Sequence, residues 1–131
     1  MRILRFVLHF ALLLLFVSSV LSCGSTHGQL RSITITPASA AGVAQFTAIG
    51  AYSDGSKVSP LTVLWSEGNP WVTNDLVPEE IVITADGMAS CNPVVGTFMV
   101  EATAPADPRI PISQMTVTTP QVHATAHITC P

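Results

Sequence analysis

Gln45-Phe46-Thr47-Ala48-Ile49-Gly50-Ala51-Tyr52-Ser53-Asp54-Gly55-Ser56 is the stretch that decides the fold of this chain. Phe46, Ala48, Gly50 and Tyr52 fall on one parity and Thr47, Ile49 and Ala51 on the other, the two-residue period of a β-strand. The strand runs into Ser53-Asp54-Gly55-Ser56, where Asp-Gly supplies the positive φ angles of a tight turn. A strand ending in such a turn is the unit of an antiparallel sheet.

The same unit recurs on both sides. Upstream, Ile33 and Ile35 alternate with Ser32, Thr34 and Thr36 until Pro37 ends the strand. Downstream, Leu61, Val63 and Trp65 alternate and halt near Gly68-Asn69-Pro70. Ile81 to Thr84 and Met88 to Cys91 flank Ala85-Asp86-Gly87 as a hairpin. Gly96 opens a strand with Phe98, Val100 and Ala102 on one face and Met99, Glu101 and Thr103 on the other. A proline-rich connection follows through Pro105, Pro108 and Pro111, with an extra strand open at Gln114 to Thr118. The last strand sets Val122, Ala124, Ala126, Ile128 and Cys130 inward and His123, Thr125, His127 and Thr129 outward. About seven short antiparallel strands predict an all-β, Ig-like antiparallel β-sandwich.

Composition agrees. Ten prolines, all from position 37 onward, argue against long helices there, and Thr, Val and Ile favour half-buried strands. Beyond residue 22 the basic residues are Arg31, Lys57 and Arg109 against eight acidic ones, a formal −5. That charge disfavours nucleic acid and repels anionic lipid headgroups. The 109 residues after position 22 suffice for one domain.

Set in order, Ile33 to Pro37, Gln45 to Ser56, Val63-Leu64-Trp65-Ser66 with Asn69-Pro70, Ala85-Asp86-Gly87-Met88-Ala89 and Gly96 to Thr103 resemble the bacterial Ig-like group 2 domain. The resemblance covers roughly residues 31–130. It departs at Trp71 to Glu80, which is longer than usual, and at an insertion before the last strand. The resemblance implies a spacer or adhesive module of the bacterial envelope, without a shared catalytic site.

The first 23 residues give an address. Arg2 and Arg5 precede an apolar run from Phe6, and Val20-Leu21-Ser22-Cys23 reads as a lipoprotein cleavage box, with Cys23 the lipid-bearing N-terminus after cleavage. The run is short for a membrane span, which needs about 20 apolar residues. Ordinary secretion and an uncleaved anchor are the two alternatives. Gly24 in place of Asp favours the outer membrane. The expected organisation is a signal peptide helix at 1–22, a flexible tether at 23–30 and an Ig-like domain at 31–131, held to the membrane through the N-terminal lipid.

Cys91 and Cys130 both fall on inward parity, and an exported compartment is oxidising, so a disulfide is expected. Two free buried thiols are the alternative. His123 and His127 would pair for zinc on a helix, but on a strand their Cα atoms lie about 13 Å apart, too far for one metal. Asp54, Asp75, Glu79, Glu80 and Asp86 lack the dense spacing of a calcium loop.

No nucleophile–base set, phosphate loop or cofactor motif is visible. Trp65 reads as the central core residue. Trp71, in a loop, is either a contact for sugar or protein or a cap on the core. Function is therefore expected to be non-catalytic, interactive or structural, with no metal, cofactor or nucleic acid. The alternative is a module that binds carbohydrate or an envelope protein through the loops near Trp71 and Pro105–Pro111.

Overall fold

The computed structural model describes residues 28–68 and 80–131. The signal segment 1–22, Cys23, Asn69, Pro70, Trp71, Asp75 and Glu79 lie outside them.

The described residues form an all-β, Ig-like sandwich. In chain order its strands are β1 (Leu30–Thr36), β2 (Ser39–Ala41), β3 (Val43–Gln45), β4 (Thr47–Tyr52), β5 (Lys57–Val58), β6 (Leu64–Glu67), β7 (Ile81–Ile83), β8 (Met88–Cys91), β9 (Gly96–Pro105) and β10 (Gln121–Cys130). A four-stranded sheet, β2-β10-β9-β6, faces two three-stranded sheets, β1-β4-β5 and β3-β8-β7. All pairings are antiparallel except β2 with β10, where Ser39 to Ala41 run beside His127 to Thr129.

The alternation read between Gln45 and Tyr52 is present, with Phe46, Ala48 and Tyr52 buried, but the strand is two strands. β3 pairs with β8 and β4 with β1, and Phe46 hands the chain between the two sheets. The Phe46 amide, lost to both ladders, donates to the Gly87 carbonyl at 2.9 Å. Upstream, Pro37 has no N–H to continue the β1 ladder, and the chain crosses to the opposite layer as β2.

β10 shows the expected parity, with Ala126, Ile128 and Cys130 buried and His123, Thr125, His127 and Thr129 exposed. Facing it, Val100, Ala102 and Ala104 of β9 are buried. Phe46, Val100 and Ile128 fill the core, while Ala89, Ala102 and Ala126 let backbones approach closely. The Ile81–Ile83/Met88–Cys91 hairpin forms as read.

Three expectations need correction. Trp65 is half-buried against the core, not its centre, because its indole lies beside Gly87 at the gap between the two smaller sheets. Gln114–Thr118 holds no strand. A 3₁₀ turn at Ile112–Gln114 precedes a Thr116–Thr119 turn, in which the Thr119 hydroxyl accepts the Thr116 amide at 3.0 Å. The domain also begins before residue 31. Leu30 is buried in β1, its amide donates to Ala106 O at 2.8 Å, and Ser53 N donates to Gln29 O at 2.8 Å.

Candidate functional site

A concave surface lies where β1 begins and β9 ends. Past Pro105, Asp107-Pro108-Arg109-Ile110 closes a turn in which Ile110 N donates to Asp107 O at 3.1 Å. The Asp107 carboxylate then accepts the Arg109 amide at 3.0 Å, Nε at 2.9 Å and Nη2 at 2.6 Å. Those hydrogen bonds from Arg109 hold the Asp107 carboxyl down to about 2. The loop is shaped by its own side chains, as charge-assisted bidentate pairs do.

This loop forms one wall of an open cleft of about 470 Å³. Pro108, Ile110, Pro111 and Ile112 face Val58, Pro60 and Leu61 across it, with Leu30 and Tyr52 at the base. Burial, with the nearby Asp54 carboxylate, pushes the Tyr52 phenol up. The walls are mostly apolar, so the cleft suits contact by shape and apolar area.

A polar cluster occupies the outer face of the four-stranded sheet. Glu101 and Thr103 are buried although they point away from the core. Glu101 Oε1 lies 2.8 Å, and Thr103 Oγ1 3.1 Å, from Nδ1 of His123. A nucleophile–base–carboxylate relay needs the base to engage its two partners through opposite ring nitrogens. Here both meet the same nitrogen, and Thr103 is fully buried. The cluster ties β9 to β10. His127, four residues on, is exposed on the same strand. Among the described residues no three His, Cys, Asp or Glu side chains converge as metal ligands.

Asp54 and Asp86 act in turns. Asp54 Oδ1 accepts Ser56 N at 2.9 Å, and Gly55 takes the left-handed conformation alone (φ 83°), so Asp-Gly supplies one positive φ and not two. Asp86 accepts the Thr84 hydroxyl, and that bond holds its carboxyl below the usual range. Glu80 lies at the entry to β7, away from both.

Cys91 and Cys130 are joined by a disulfide with Cα atoms 5.7 Å apart. Cys23 and Trp71 lie outside the described residues. The two loops proposed to share a ligand are rooted at opposite ends of the sheet. The connection bearing Trp71 leaves at Gly68, whose amide donates to Met99 O at 3.3 Å. The Pro105–Pro111 connection leaves β9 about 20 Å further along, taking 3.3 Å per residue.

Two contributors, Leu30 and Glu101, were not among the expected site residues. Leu30 falls in the segment expected as tether, 23–30, and lines the cleft. Glu101, a lone charge in a strand otherwise of Thr and apolar residues and on the parity of His123, was the available signal for the buried cluster. Compared with protein-family models and with curated proteins, the sequence matches none.

Proposed function

We propose that this chain is a lipid-anchored, non-catalytic protein of the bacterial cell envelope, with a single Ig-like domain of the group 2 type serving interaction or structure. The observation that carries the reading is the fate of the cysteines. The chain has three, Cys91 and Cys130 are bonded to each other, and the third is Cys23, directly after Val20-Leu21-Ser22. A disulfide belongs to an exported compartment, and the remaining thiol stands where a diacylglyceryl group would be attached.

Metabolic labelling with a palmitate analogue tests this reading. The wild type should be tagged and Cys23→Ala should not. A tag that persists in the variant contradicts it.

The apolar cleft at Pro105–Pro111 favours a second reading, a module that binds glycan or an envelope protein. Trp71 belongs to a connection rooted at the other end, so the two loops would act as separate contacts. A glycan array with wild type, Trp71→Ala and Ile110→Asp separates them: loss of binding in one variant alone assigns the contact, and no binding by the wild type removes the glycan reading.

A further inference from the structure

The chain enters the sandwich beside the cleft. Gly28 N donates to Asp54 Oδ2 at 3.1 Å, Gln29 O accepts Ser53 N, and Leu30 both pairs with Tyr52 and lines the cleft. Five residue steps separate Cys23 from Gly28. At 3.3–3.6 Å per residue they span at most about 18 Å, while the ten-residue strands β9 and β10 extend about 30 Å.

Charge is segregated along the same axis. Arg31, Lys57 and Arg109, every basic residue beyond position 22, sit on the elements around this end, all three exposed. Among the described residues, only Asp54 and Asp107 accompany them. Of the other six acidic residues, Glu67, Glu80, Asp86 and Glu101 belong to other elements, and Asp75 and Glu79 lie outside the described residues. Counted over the described residues, the tether end is thus net positive on a domain that is net negative.

We propose that this end is a bilayer-facing surface, with the Pro108–Pro111 wall of the cleft and the rim of Arg31, Lys57 and Arg109 resting on the phosphate-bearing headgroups of the leaflet that holds Cys23. The inference rests on the lipid-anchor reading. The short reach of the tether selects which end meets the membrane. Basic side chains are drawn to the negative headgroup surface within a Debye length, and the acidic remainder is repelled from it. Pro108, Ile110 and Pro111 offer the apolar contact of an interfacial surface. The Cys91–Cys130 end, with the root of the Trp71 connection, then points away from the membrane and is the end presented to other molecules.

The test uses full-length protein extracted from membranes and reconstituted into phosphatidylethanolamine–phosphatidylglycerol vesicles carrying a headgroup-linked quencher. A fluorophore is placed at Val117→Cys, exposed in the turn before β10, or at Val95→Cys, exposed just before Gly96 at the opposite end. The label at 117 should lose its emission and the label at 95 should keep it. Arg31→Gln with Lys57→Gln should shrink that contrast. Failure of the protein to float with the vesicles overturns the anchor reading and this inference together. Flotation with equal quenching at both sites, or stronger quenching at 95, overturns the orientation alone. A contrast unchanged in the double variant overturns the part assigned to charge.

Discussion

Glu67 Oε2 lies 3.3 Å from the amide nitrogen of Ile81, and it accepts the amide of Glu80 at 3.2 Å as well. One carboxylate at the end of β6 thereby clasps the entry to β7 and closes the root of the connection between them. The pairing is long-range, and it sits beside Ile81, which is buried in the core.

The clasp has a pH signature. Burial, together with the nearby Glu80 carboxylate, pushes the Glu67 carboxyl up from 4.5 despite the two amides. A raised folded-state pKa means that the folded protein binds the proton more tightly, so stability falls as pH rises from 4.5 through the folded-state value. Glu67→Gln keeps an acceptor for the amides and removes the titration. Its melting temperature should lose that decline. Glu67→Ala leaves two part-buried amides unpaired and should cost about 1–3 kcal/mol at every pH. A Gln variant with the wild-type pH profile would remove Glu67 as the source.

Reducing the Cys91–Cys130 bond should be costly. It closes a sequence separation of 39 residues, and the chain-entropy treatment gives about 4 kcal/mol for such a loop. Thermal melts with and without reductant should differ by on the order of 20 °C for a domain of this size. A shift of only a few degrees would mean that the bond does not restrain the unfolded chain.

Core truncations should rank by burial. Phe46, 1% exposed, should cost about 3–5 kcal/mol on replacement by Ala, whereas half-buried Trp65 should cost less, about 2–3 kcal/mol. Urea unfolding of the two variants checks the order. A larger loss for Trp65→Ala would place the indole at the centre of the core.

Gly87 is fixed by two constraints. Its φ is 88°, and a Cβ there would stand 2.5 Å from Phe46 O and 3.0 Å from the Trp65 ring. Gly87→Ala should therefore lose about 2–4 kcal/mol, from backbone strain and displacement of the Phe46 contact. Gly42→Ala shares the positive φ but meets nothing within 4 Å, so it should lose less. Equal losses would assign the whole effect to backbone strain.

The strand parities of residues 46–52 and 121–130 were legible because one face of each strand is buried and the other is wet, and that writes a two-residue period into the sequence. The disulfide followed from the same parity. The sheet change at Phe46 was not legible, since alternation continues unbroken through it. The partners β8 and β1, distant in sequence, decide where the ladder breaks. The Glu67 clasp and the buried Glu101 depend equally on residues brought together only by folding. Gln114–Thr118 misled because threonine favours strands, while its hydroxyls here cap a turn.

Intact-mass spectrometry of the protein extracted from the envelope reads the lipid on Cys23 and the Cys91–Cys130 bond in one experiment. The expected species begins at Cys23 and carries a thioether-linked diacylglyceryl group, and its mass rises on reduction by the hydrogens of one disulfide, with Cys91 and Cys130 then the alkylatable thiols. An unlipidated species beginning at another residue, or Cys23 found in a disulfide, would contradict that expectation.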